Sequence, residues 1–247
     1  MKQICFFSLM AVALQGGEMI SVRKSEDRGH GDYGWLSTHY TFSFADYHDD
    51  RFMGFRTLRV INEDIVDAGK GFETHPHKDM EILTYIIDGA LEHKDSLGNR
   101  YQIKKGEFQI QTAGSGIEHS EFNPSRKEKV HLLQIWIQPE KKGLAPRYDQ
   151  KSFADHGQGL RLVVSPDGKE GSLKIHQDAR IYLGQLGEGQ RTDMELGNNR
   201  SAWIQVVKGE ITCNGVTLKP GDGASISKEK KLVFEGKEPA EFLFFDL

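Results

Sequence analysis

Cysteine is nearly absent from this chain of 247 residues: only Cys5 and Cys213 occur. A disulfide framework is thereby excluded, and a reducing compartment is compatible with the count. Proline is scarce as well, at 7. No apolar run approaches the ~20 residues that a membrane-spanning helix needs. No block of like charges appears either, and 32 Lys+Arg stand against 36 Asp+Glu for a net charge of −4. The electrostatic footprint of a nucleic-acid-binding surface is missing. Nor does any long stretch carry the apolar period of an amphipathic helix, so helix is predicted to be a minor component.

What the chain has is 27 glycines and many short runs of β-branched and aromatic residues between Gly, Asn and Asp turns. Examples are Phe55 to Ile61 (FRTLRVI), Glu81 to Ile87 (EILTYII), Tyr101 to Ile103, Phe108 to Gln111 and His131 to Ile137 (HLLQIWI). Asp95 to Asn99 reads as a hairpin connection. The pattern predicts an all-β, antiparallel architecture. The length suits two domains of roughly 110 to 130 residues.

The second half repeats the grammar of the first. Thr84 to Gly89 (TYIIDG) matches Ile204 to Gly209 (IQVVKG), and Asn99 to Gly106 (NRYQIKKG) resembles Asn214 to Gly221 (NGVTLKPG). An acidic residue follows each second motif, Glu107 and Asp222, and the halves close on HLLQIWI and EFLFFDL. Two β modules are therefore expected, residues 19–145 and 146–247, divided in the polar stretch between Pro139 and Gly159. The alternative is one continuous β structure of about 200 residues.

Residues 1–18 read in two ways. Ile4 to Leu14 is apolar apart from Ser8 and follows Lys2, which imitates a weak secretory signal. Alternatively Met19 is the start, with Gly16-Gly17-Glu18 translated from a purine-rich ribosome-binding sequence. The second reading is the expectation, and with it a cytoplasmic location.

Among the 10 histidines, three stand out, and His93 is a fourth candidate. His75 and His77 lie two apart, so in a strand their imidazoles face the same way. His119 and Glu121 repeat that spacing after the glycine-rich turn Ala113 to Gly116, where glycine permits a tight approach to the barrel interior. An isolated His-x-His is ordinarily a loop or an exposed strand. A second pair in the same module makes a metal site the better reading, because antiparallel pairing would surround an ion with nitrogen and oxygen donors.

The stretch from Gly69 through His75, His77 and Glu81, followed by Gly106 and His119, resembles the two motifs of the cupin superfamily. TFSFADY, GFRTLRVINED, HPHKDMEILTY, AGSGIEHSEFNP and LQIWIQP more specifically resemble the pirin family, in particular its bacterial members with quercetin 2,3-dioxygenase activity. The motifs depart from general cupins at Thr112, where proline is usual, and in the longer spacing from Gly114 to His119.

The resemblance implies a bicupin with one metal, held in the N-terminal barrel by His75, His77, His119 and Glu121. Iron(II) is the family expectation, although the donor set also suits Ni, Co, Mn, Cu or Zn. The implied reaction is metal-dependent dioxygenolytic opening of a flavonol such as quercetin, with release of carbon monoxide. Glu121 would accept the 3-hydroxyl proton, and Glu81 would lie behind the ligands as a hydrogen-bonding partner. Phe72, Phe108, Ile110 and Phe122 are candidates for a flat pocket wall. The implied partners are a flavonol-like small molecule and dioxygen, with no nucleic acid and no membrane. Binding of metal to neutral imidazoles and a carboxylate should weaken at acid pH. Glu195, Gly197 and Phe234 fall at the second-half counterparts of His75, His77 and His119, so the C-terminal module is expected to lack metal and act as a structural or lid module. Two other functions remain open: an iron-containing, redox-responsive regulatory protein with a protein partner, and a cupin isomerase.

Overall fold

A strand that is apolar at successive positions needs cover on both faces. In the computed structural model, which describes residues 19–155 and 157–247, two such strands sit back to back at the centre of the molecule. Glu81–Asp88 sends Leu83, Tyr85 and Ile87 into one core and Ile86 into another. Ser201–Lys208 does the same, with Trp203 and Val207 on one side and Ala202, Ile204 and Val206 on the other. The core shared by the two halves joins Leu83, Tyr85 and Phe108 to Val163, Leu183 and Leu243. The expectation for residues 1–18 lies outside the described residues.

Each half pairs a seven-stranded sheet with a four-stranded one. In the first half the large sheet runs Arg147–Ser152, Glu107–Thr112, Glu81–Asp88, Val130–Ile137, Leu58–Val66, Leu36–Tyr40, Gly29–Asp32. The small sheet runs Gly71–His77, Ile117–Phe122, Ala90–Asp95, Arg100–Lys104. Leu91 and Ile103 from the small sheet pack on Ile86, Val130 and Leu132 from the large one, closing the sandwich. Helix is confined, among the described residues, to the single 3-10 turns Ser25–Asp27 and Lys169–Gly171. The turn glycines of the internal repeat share the left-handed conformation that the repeat requires, with Gly89 at φ 81° and Gly209 at φ 66°.

Two edge strands cross the division placed at 145/146. Ile20–Arg23 pairs with Gly223–Ser227 of the second half, and Arg147–Ser152 pairs with Glu107–Thr112 of the first. Composition registers linkers but not the partner that a short edge strand chooses. The exchange stitches the halves together through backbone hydrogen bonds as well as through the shared core.

On the outer strands of the first half, Glu63 accepts from Arg28 at 2.8 Å and from His131 at 2.9 Å. Burial alone would raise the Glu63 carboxyl, but the His131 hydrogen bond and the Arg28 charge bring it down to about 2. A carboxyl lower in the folded than in the unfolded state stabilises above the unfolded value and loses that contribution as pH falls through the folded one. The expected contribution at neutral pH is about 3 kcal/mol. Urea denaturation should therefore show wild type well above Glu63→Gln at pH 7, with the gap closing toward pH 2. A gap that does not change with pH would contradict this assignment.

Candidate metal centre

Strand register brings the histidines to one place. Ile117–Phe122 is the central strand of three, with Gly71–His77 on one side and Ala90–Asp95 on the other. His119 lies directly across from His75 on one neighbour and from Asp95 on the other, while Glu121 lies across from His93. A register shift between His119 and Glu121 places Phe72 opposite Glu121. That bulge lets Phe72 share the cavity with His75 and His77 despite its different parity.

The three imidazoles of His75, His77 and His119 form a nearly equilateral triangle, with ring centroids 4.6 to 4.7 Å apart. The Nε2 atoms of His75 and His119 are 3.1 Å apart. Two nitrogens bound at right angles, each about 2.1 Å from one ion, would be about 3.0 Å apart, so this spacing fits a shared divalent cation. The carbonyl of Glu73 lies 2.7 Å from His75 Nδ1. That carbonyl can only accept, so Nδ1 carries the proton and Nε2 presents its lone pair. Burial, then the neighbouring His119 and His75, lowers His77 to about 4. Burial, then His75 and His93, lowers His119 to about 3. Both rings are neutral donors at pH 7, and proton competition at them belongs to the acid range.

Glu121 stands deeper. It is 1% exposed, and its two carboxylate oxygens accept from Gln109 Nε2 at 2.6 Å and Gln134 Nε2 at 2.7 Å. Its oxygen groups with His93 and His119, the ligand-capable atoms of the three lying within 4.8 Å of one another. His75, His77 and His119 form the other such set, so His119 is the member common to both. His93 is wholly buried, donates from Nε2 to the Asp95 carboxylate across 3.0 Å, and stacks on Tyr148 at 4.5 Å. Among the described residues the Nδ1 atoms of His93 and His119 are both buried without a partner.

These side chains border a cavity of about 300 Å³. Phe44, Phe72, Ile82 and Trp136 give it apolar walls, and Asn62, Asp64 and Gln134 interrupt them with polar groups. Burial, with the charges of Glu121 and Glu63 adding, pushes the Asp64 carboxyl up to about 7. Of the four residues expected as pocket wall, only Phe72 lines this cavity. Phe108 and Ile110 belong to the core between the halves, and Phe122 borders a separate outer groove. Strand Glu107–Thr112 points Gln109 toward Glu121, so Phe108 and Ile110 must point the other way. The turn glycine Gly114, at φ 49°, makes its close approach to the Leu144 carbonyl, not to the ligands.

Glu81 also departs from expectation. It is wholly buried and belongs to the contact between the halves, where Thr112 Oγ1 donates to it at 3.1 Å and His176 Nδ1 lies 3.5 Å away. Counting parity from His77 fails because Asp79, at φ 50°, turns the chain between the two strands. Ile82, one residue on, is the side chain that reaches the cavity. Burial raises the Glu81 carboxyl, so its charged form is disfavoured in the fold. Glu81→Gln is expected to leave metal stoichiometry unchanged and to melt at or above the wild-type temperature at pH 7. Loss of metal from this variant, measured by elemental analysis, would restore Glu81 to the metal site.

In the second half, Arg191–Glu195 pairs with Lys231–Gly236 as Gly71–His77 pairs with Ile117–Phe122. Phe234 is wholly buried there and stacks on Phe242 at 5.1 Å. Apolar packing thus occupies the interior of this sandwich.

The family model described as Pirin matches residues 21–137, and that of the quercetinase C-terminal cupin domain matches residues 162–247. The chain is 52% identical over 229 residues to a protein of Escherichia coli K12 named quercetin 2,3-dioxygenase, covering 93% of this chain and 99% of that one. It is 48% identical over 233 residues to a putative quercetin 2,3-dioxygenase of Pasteurella multocida, covering 93% and 100%. The crystal structure of the bacterial pirin YhhW from E. coli in complex with nickel(II) matches with a TM-score of 0.90 at 52% identity, covering 93% of this chain and 99% of that one. This chain belongs to the pirin family.

Proposed function

We propose that this chain, an oxidoreductase of the quercetin 2,3-dioxygenase type, opens the central heterocycle of a flavonol with dioxygen and releases carbon monoxide. One divalent transition-metal ion, held by His75, His77, His119 and Glu121, serves the reaction. Iron(II) is the proposed native ion, and the same nitrogen and oxygen donors accommodate nickel and its neighbours. The observation that carries this reading is the triangle of three imidazoles at the edge of an apolar cavity that also holds a carboxylate. In this division of labour residues 19–145 supply every ligand, and residues 146–247 cover the back of the large sheet.

A bound ion supplies Lewis-acid polarisation of the flavonol 3-hydroxyl oxygen, lowering its pKa. Glu121 accepts that proton, with Gln109 and Gln134 holding its two oxygens in place. His75 keeps its lone pair toward the ion because the Glu73 carbonyl fixes its other nitrogen. Phe44, Phe72, Ile82 and Trp136 confine a flat ring system and displace water around it. In the overall balance both atoms of dioxygen enter the organic product and one ring carbon leaves as carbon monoxide.

The test is metal removal. Chelator-stripped protein should leave flavonol absorbance unchanged in air, and adding back iron(II) or nickel(II) should restore its decay with matching oxygen uptake. Fully metal-loaded protein that consumes neither quercetin nor oxygen would defeat the proposal. Substrate loss without oxygen uptake would point instead to an isomerase.

A further inference from the structure

Strand Leu58–Val66 reads LRVINEDIV, and its alternate positions Val60, Asn62, Asp64 and Val66 are buried. An inward strand face lined by valine is a costly place for an amide and a carboxyl unless something pairs with them. Asn62 and Asp64 are each 4% exposed, and both border the cavity that holds His75, His77, His119 and Glu121. Among the described residues Asn62 Oδ1 is buried without a hydrogen-bond partner. On the neighbouring strand Trp136 lines the same cavity, stands edge-on to His77 at 5.0 Å, and has an Nε1 that is also buried and unpartnered. Gln134, directly across from Asn62, donates to Glu121 and accepts from Thr84, and makes no hydrogen bond to Asn62.

The unspent groups specify a complement. Asn62 Oδ1 seeks a donor and Trp136 Nε1 an acceptor oxygen, and the Asp64 carboxyl on the same wall can meet a hydroxyl in either role. The rest of the wall is aromatic or aliphatic, through Phe44, Phe72 and Ile82. A flat molecule carrying hydroxyls on an aromatic frame answers both demands. We propose that Asn62 and Asp64 form a recognition subsite for a phenolic hydroxyl remote from the reacting carbon. The site thereby selects polyhydroxylated flavonols over those that carry only the metal-binding hydroxyl. This inference rests on the flavonol reading above and adds the residues that set its selectivity. A site built to pair a hydroxyl discriminates strongly against an analogue without it, because its own buried groups are then left unpaired.

The experiment compares quercetin with 3-hydroxyflavone, which keeps the 3-hydroxyl and 4-keto oxygens and lacks the remaining hydroxyls. Anaerobic binding to nickel-loaded protein is followed by tryptophan fluorescence, and kcat/KM is measured in air with iron-loaded protein. Wild type should favour quercetin in both by about tenfold or more. Asn62→Leu and Asp64→Leu should each remove most of that preference by weakening quercetin alone. Turnover of 3-hydroxyflavone should remain near wild type in both. Asn62→Asp, which keeps volume and an acceptor, should retain the preference and stands in if a leucine variant does not fold. Equal preference in wild type and all variants, no preference in wild type, or equal weakening of both ligands would overturn the subsite. Retained binding preference with no flavonol consumption would instead overturn the proposed reaction while leaving the subsite standing.

Discussion

His119→Ala is expected to lose both metal and flavonol turnover. His119 is the one side chain present in both sets of ligand-capable groups, with His75 and His77 on one side and His93 and Glu121 on the other. Its strand lies between the strand that carries His75 and His77 and the strand that carries His93. The variant leaves His75 and His77, on a partly exposed strand, with Glu121 as the one other proposed ligand. Removing merely an outer hydrogen-bond partner of a metal ligand costs about 10- to 100-fold in affinity or activity. Removing His119 itself should therefore cost more than about 100-fold in metal affinity. Competition with a chromogenic chelator measures this directly. Retention of wild-type affinity would remove His119 from the metal site.

Glu121→Gln is expected to separate chemistry from binding. An amide cannot take the 3-hydroxyl proton, and loss of a general base typically costs about 10² to 10⁴ in rate. The surroundings sharpen the effect. Gln109 and Gln134 both direct N–H donors at Glu121, so an amide there would set one NH2 group against another and force a flip. With nickel occupancy matched to wild type by elemental analysis, anaerobic flavonol affinity should change only a few-fold, because the apolar walls and the Asn62 and Asp64 groups are untouched. A kcat within tenfold of wild type would show that Glu121 does not carry the proton.

The strands and the repeat were legible because both depend on short-range pattern. Runs such as HLLQIWI and turn glycines such as Gly89 and Gly209 announce themselves within a few residues. The pairs His75/His77 and His119/Glu121 were visible for the same reason, since a spacing of two means one face of a strand. Facts set by the partner of a strand were hidden. Glu81 shares numerical parity with His77, but the left-handed turn at Asp79 separates them. Phe108 and Ile110 belong to a strand buried on both faces, where apolarity does not say which face is the cavity. The edge strands Ile20–Arg23 and Arg147–Ser152 cross between halves without any local mark of doing so.

A signal for the remaining residues was present. Asn62, Asp64, Gln109 and Gln134 are polar groups on the inward faces of their strands, and each faces the cavity or the carboxylate behind it. A polar residue on a buried face costs stability unless it is paired, so its presence marks a wall with a task.

Carbon monoxide yield tests the metal-centre reading at its core. Iron-loaded wild type and His119→Ala, at equal protein concentration in air, are supplied with quercetin, and carbon monoxide is quantified against flavonol consumed. One carbon monoxide per flavonol from wild type and none above background from His119→Ala is the expected result. Wild type with a full complement of metal that releases no carbon monoxide, or a variant that releases as much as wild type, would contradict it.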